Sequence, residues 1–244
     1  MPIRSIFALA SASCRQHGIS PYAPQPAEVQ QERINYLSME NLIKFNSIDE
    51  YNKAMGFETK HPLVAVVDLK KADKKAFPQE VSYYYGVYAL FLKQTYCGDI
   101  TYGRMPYDYQ EGTVTSFAPG QVVHVKHRPD YEPNALGLLF HPDLIRGTSL
   151  GQEIKQYSFF SYSSTEALHL SEQEKMIYKD CLEKIKIETE RPIDNHSKKL
   201  ICRNIELLLD YCMRFYERQF ITRKVVNRDI HHTRSLQQGH HRTL

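Results

Sequence analysis

Tryptophan is absent from the 244 residues, no cysteines are spaced C-x-x-C, and no apolar run approaches the roughly 18 residues of a membrane span. Motifs for several chemistries are missing too. G-x-S-x-G, Walker A and G-x-G-x-x-G do not occur, so the usual signatures of nucleophile-elbow hydrolases, P-loop NTPases and dinucleotide binders are lacking. A net charge of +3 is too small to argue for nucleic-acid binding by itself. The five cysteines (Cys14, Cys97, Cys181, Cys202 and Cys212) leave one unpaired in any pairing scheme. Three of them fall in helical patterns, where a free thiol acts as a small buried hydrophobe. A reduced, cytoplasmic compartment fits that usage.

The composition itself is that of a globular protein, 42% hydrophobic and 24% charged. The length suits one sizeable domain or two small ones. Aromatics are plentiful, with 17 Tyr and 11 Phe, and the tyrosines cluster between Tyr83 and Tyr109. Residues 1–38 read poorly as structure. Ile6 to Ala12 is a short apolar run ahead of a small-residue stretch ending at Cys14, the pattern of a signal-cleavage or lipoprotein site. A single n-region charge and a run at the short limit argue against export. The polar stretch around Pro21, Pro24 and Pro26 predicts disorder, so 1–38 is expected to be a leader.

From His61 to His141 the pattern is β. Leu63–Val67 is a buried-strand candidate. Val81 to Lys93 predicts one long aromatic strand with a bulge or bend at Gly86. On that strand Tyr84 and Tyr88 share one face, and Tyr83, Tyr85 and Phe91 share the other. Further strands are expected over Ile100–Met105, Thr113–Phe117, Val122–Val125 and Ala135–Phe140, with a type II turn at Ala118-Pro119-Gly120-Gln121. Short strands divided by Gly, Pro and Asp turns point to an antiparallel sandwich or barrel. Short helical pieces follow at Pro142–Arg146 and Leu150–Tyr157.

The last part is helical. Ser171-Glu172-Gln173-Glu174 matches the capping box, Arg191-Pro192 breaks that helix, and Asp194 can cap the next. In the second helix Ile201, Ile205, Leu208, Cys212 and Phe215 recur at steps of four and three, a 3.5-residue seam. Such a stripe belongs either to an ordinary core helix or to a helix shared with a second subunit.

The histidines and tyrosines are the side chains of the β segment best suited to binding chemistry. His124 and His127 are spaced H-x-x-H, but residues three apart on a strand point to opposite faces, so the two cannot hold one ion. With His141 the count stays below the three protein ligands of a catalytic metal site. No metal and no cofactor is therefore expected. Tyr84, Tyr88, Tyr102, Tyr107 and His124 are the candidate ligand-pocket residues, since tyrosine offers apolar area with a polar handle. Core packing accounts for them equally well.

Several segments, taken in order, resemble the sensor half of AraC-type transcriptional regulators, closest to Bacteroidetes-type members. They are Tyr107-Asp108-Tyr109-Gln110-Glu111-Gly112 through Phe117-Ala118-Pro119-Gly120-Gln121, Gly137-Leu138-Leu139-Phe140-His141-Pro142-Asp143-Leu144, Glu166 to Glu174, and Arg214 to Phe220. The resemblance spans about Met39 to Ile230. It implies an α+β chain: an antiparallel cupin-like β-barrel over 39–170 that senses an unknown small-molecule effector, then a dimerisation helical hairpin over 171–222. It implies a homodimer paired through Ile201, Ile205, Leu208, Cys212 and Phe215, so Leu208→Asp is expected to give monomers. In the family a DNA-binding domain with two helix-turn-helix motifs follows. Here 223–244 is a basic tail (Arg223, Lys224, Arg228, Arg234 and Arg242) ending HHTRSLQQGHHRTL, which has no apolar periodicity. The expectation is a regulator truncated before its DNA reader, contacting DNA only through the missing domain, not a membrane protein and not an enzyme. A heterodimer with a full-length relative is the other pairing that the resemblance allows. The alternative is a stand-alone cupin-like enzyme or small-molecule-binding protein.

Overall fold

The computed structural model describes residues 42–102, 105–106, 108–160 and 167–239, with side chains followed to Gln219, those of Tyr102 and Met105 excepted. The elements run β1 (Leu42–Phe45), α1 (Ile48–Met55), β2 (Val64–Asp68), β3 (Glu80–Tyr85), β4 (Tyr88–Lys93), β5 (Gly98–Tyr102), β6 (Met105–Pro106) and β7 (Thr113–Phe117). They continue with β8 (Gln121–His127), β9 (Ala135–Phe140), α2 (Pro142–Ile145), α3 (Ser149–Glu153), β10 (Leu168–His169), α4 (Glu172–Glu190) and α5 (Ser197–Gly239).

The strands make two five-stranded sheets, β1-β3-β8-β5-β6 and β10-β7-β4-β9-β2. All neighbours are antiparallel except β1 beside β3. The chain is therefore α+β with a C-terminal helical pair. Its described strands form two open sheets, not the closed barrel expected. Period-2 alternation explains how the sheets stack. Tyr83 and Tyr85 of β3 and Val123 and Val125 of β8 meet Ala65, Phe91 and Leu139 of the second sheet in one buried cluster. The opposite residues of the second sheet (Val64, Leu90, Leu92, Leu138 and Phe140) pack under α4 and α5. The order of layers is first sheet, second sheet, helices.

One predicted strand is two. Val81–Lys93 divides at Gly86, with β3 in the first sheet and β4 in the second. The Gly86 N–H donates to the Phe45 carbonyl at 2.8 Å, and a Cβ there would lie 3.0 Å from the Asn46 Cα. The chain can cross between sheets so close to β1 only without a side chain. β1 and α1 were not anticipated, although α1 carries a Ser47 N-cap and a left-handed Gly56 C-cap. The turn at Pro119-Gly120 is as expected: Gly120 has φ 89° and the Gln121 N–H reaches the Ala118 carbonyl.

The hairpin forms from local signals. The Ser171 hydroxyl accepts from the Glu174 N–H while the Glu174 carboxylate accepts from the Ser171 N–H at 2.8 Å, closing the capping box. Asp194 Oδ1 accepts from the N–H groups of His196 and Ser197, each at 2.8 Å. These bonds hold the Asp194 carboxyl below the usual carboxylate range. Arg218 then ties α5 to the start of α4. Its guanidinium donates to both Glu174 carboxylate oxygens, at 2.8 and 3.0 Å, and to the His169 carbonyl at 2.9 Å.

α5 is one helix of 43 residues, about 65 Å long, running to Gly239 where a basic, structureless tail was expected after Thr222. The hairpin also shares a core with the second sheet. No described helix is long and apolar enough to cross a membrane.

Candidate functional site

The residues predicted to line a pocket do not converge. Tyr84 and His124 lie on the outer face of the first sheet, as Tyr83, Tyr85, Val123 and Val125 take the inner one. Tyr88 is on the far face of the second sheet, stacked on Phe140 at 4.9 Å and edge-on to Phe160. The crossing at Gly86 separates Tyr84 from Tyr88, which one continuous strand would have kept together. Tyr102 pairs through its backbone with Val123. Its side chain, and all of Tyr107, lie outside the described residues.

His124 belongs to a serine–imidazole–carboxylate chain. Its Nδ1 is 3.2 Å from the Ser82 hydroxyl and its Nε2 is 3.2 Å from a Glu80 carboxylate oxygen. With the proton on Nε2, the imidazole donates to Glu80 and accepts from Ser82. Ser82 is only 2% exposed, so no substrate carbonyl reaches its oxygen, and the chain fixes β3 against β8. His127, three residues on, faces inward, and its Nδ1–H donates to the Pro78 carbonyl at 2.7 Å. The two imidazoles are thus on opposite faces. Among the described residues no group of three or more His, Cys, Asp or Glu side chains could hold a metal.

The space between the sheets is nearly full. Tyr51, Tyr83, Tyr85, Phe117, His127 and Tyr131 are among the side chains around a cavity of about 40 Å³, room for little more than one or two waters. Burial pushes the hydroxyls of Tyr83 and Tyr85 well above the usual phenol range, so both stay neutral. Cys97 and Tyr109 form a closed polar knot nearby: the Tyr109 hydroxyl donates to the Gly98 carbonyl at 2.6 Å and accepts from the Cys97 N–H.

Burial pulls the His127 pKa below its ordinary value, and the bond to Pro78 opposes this only in part. Burial acts the same way on His61. The unfolded chain therefore binds protons more readily near pH 6.5 than the folded one does. This contribution to stability is complete above about pH 6.5 and is lost as the pH falls through the depressed folded values. Urea midpoints should fall between pH 7 and pH 5. They should fall less in His127→Gln, whose amide can still donate to Pro78; an unchanged pH slope would contradict the assignment.

A ligand-sized cavity lies elsewhere. About 370 Å³ opens between β2, the last strand of the second sheet, and α4, within the usual range for small-molecule sites. All five residues of β2 line it, with Lys179, Leu182, Glu183, Lys186, Thr189 and Glu190 of α4 opposite. Asn52 and Phe57 close one end. Asn52 is 2% exposed; its Nδ2 donates to Thr59 at 3.2 Å, but its Oδ1 has no hydrogen-bond donor. A second concavity of about 440 Å³, with Lys198, Lys199 and Arg203, flanks the start of α5.

No protein-family model matches this chain, and no curated protein matches its sequence.

The predicted subunit seam is also used differently. Ile201, Ile205, Leu208, Cys212 and Phe215 are all buried within the one chain, facing α4 and the second sheet. That face of α5 is not open to a second subunit. A second stripe at the same spacing, one residue earlier and so about 100° round the helix, borders the buried one: Leu200, Asn204, Leu207, Tyr211 and Arg214. Leu200 is 46% and Leu207 is 40% exposed, and the Arg214 guanidinium lies 5.9 Å from the Tyr211 ring centroid. Periodicity alone did not separate the two stripes, because both follow the 3.5-residue repeat.

Proposed function

We propose that the chain is the ligand-sensing and dimerisation region of an AraC-type transcriptional regulator, working in the cytoplasm, with its two facing sheets forming an opened version of a cupin-like domain. The observation that carries this reading is the cavity between β2 and α4, because a ligand there touches the sheet and the helical pair at once. Occupancy would bias the position of α4 and, through the Glu174–Arg218 pair, that of α5. The four described cysteines are free and buried, which suits a reducing compartment.

Two copies would associate through the outward stripe of α5. Leucines at Leu200 and Leu207 make the apolar contact, and an asparagine within such a seam fixes register at some cost in stability. This replaces the buried stripe as the pairing surface. Sedimentation of the whole chain should show a dimer, and Leu207→Asp should give folded monomers, the introduced charge sitting on an exposed position. A Leu207→Asp protein that sediments as wild type would remove the pairing assignment.

A further inference from the structure

The cavity beside α4 has the shape and chemistry of a site for an extended chain, and we propose that it binds a neutral peptide segment added as a further strand to β2. Consecutive residues of a strand point to alternate faces, so five in a row can border one cavity only along the strand's edge. β2 has β9 on one side and no described strand on the other. The His141 N–H donates to the Leu63 carbonyl at 2.8 Å, which makes residues 63, 65 and 67 the hydrogen-bonded partners of β9. The N–H and C=O groups of Val64, Val66 and Asp68 consequently point to the open edge.

The opposite wall matches in length. Lys179 to Glu190 covers about 16 Å of α4, and the five residues of β2 cover about 17 Å. An incoming strand would lay alternate side chains on Leu182 and the helix layer, and meet Asn52 and Phe57 with the others. Asn52 Oδ1, buried and lacking a donor, is then supplied with one by a peptide N–H. The charges around the groove cancel. Lys60 pairs with Glu190 at 3.3 Å and Lys186 with Glu183 at 3.6 Å, while Lys71 and Lys179 balance Glu58 and Asp68. A neutral, β-branched segment is therefore favoured over an acidic or basic one. As the effector of a sensing module this peptide rests on the reading above, but its binding can be tested apart from it.

The test uses the whole chain with a fluorescent acetyl-Val-Thr-Val-Thr-Val-amide probe, the same peptide N-methylated at alternate residues, and Val66→Pro protein. Proline at Val66 removes an outward N–H from an edge strand, a position where proline is tolerated. Anisotropy should show binding at or below about millimolar probe, roughly tenfold weaker to Val66→Pro. The N-methylated peptide should not bind. Amide hydrogen exchange should slow at Val64, Val66 and Asp68 on binding, a readout that does not depend on any variant folding. No binding to the folded wild-type chain, equal binding of the N-methylated peptide, or unchanged exchange at those amides would overturn the site. Binding that leaves the dimer's sedimentation and α5 exchange unchanged would keep the site and remove its role as effector.

Discussion

Leu208→Asp should abolish stable folding and not merely dissociate a dimer. Leu208 is fully buried in the cluster that joins α5 to α4 and to Leu138 and Phe140 of the second sheet. A carboxylate there loses its hydration and finds no cationic partner among those apolar neighbours. Burial of an unpaired charge, added to the lost leucine, is worth about 4–5 kcal/mol or more. That is about a third or more of the roughly 5–15 kcal/mol that holds a domain together, and all of it at the lower end. Leu208→Ala should lower stability by about 2–5 kcal/mol, read as a shift of the urea midpoint at constant slope. The adjacent Leu207→Asp should move it by about half a kcal/mol, since its position is exposed. If Leu208→Asp instead gave a folded monomer with an unchanged midpoint, the burial of this stripe would be refuted and the original pairing seam restored.

That contrast also marks what the residues disclose by themselves. A 3.5-residue repeat shows that a face is buried, not what buries it, and α5 presents two such faces. Signals that act within a few residues were legible. The Ser171–Glu174 capping box, the Asp194 cap, the Pro119-Gly120 turn and the strands Thr113–Phe117 and Ala135–Phe140 stand where local chemistry puts them. Signals that depend on distant chain were not. Whether Gly86 bends one strand or divides two depends on β1 passing beside it, and β1 lies far back in sequence. The cavity beside α4 was illegible for the same reason: Asn52, Val66 and Thr189 have no shared motif and meet only through the fold. The Ser47 cap and Gly56 stop of α1, by contrast, were available in the sequence and mark a helix that local reading alone can find.

Gly137→Val should be the other severe substitution, and its cost comes from packing, not from backbone conformation. Gly137 does not have a positive φ, so on backbone grounds a side chain in this strand would be mildly favourable. Sterics decide otherwise. Gly137 sits in β9 directly between Phe91 of β4 and Val67 of β2. A Cβ there would lie 2.7 Å from the Phe91 ring and 2.8 Å from a Val67 methyl. The ring cannot withdraw, being 3% exposed and surrounded by Tyr51, Tyr85 and Phe117 at centroid distances of 6.3 to 6.5 Å. Overpacking of this kind costs about 1–3 kcal/mol for the first carbon, so Gly137→Ala should lower the urea midpoint measurably. Valine, with two further methyls, should cost more and leave little native protein. Shrinking the opposing ring supplies the control: Phe91→Leu alone is destabilising, yet combined with Gly137→Ala it should cost less than the two single changes added. Additive losses in that cycle would mean that the ring is not what excludes a side chain at Gly137.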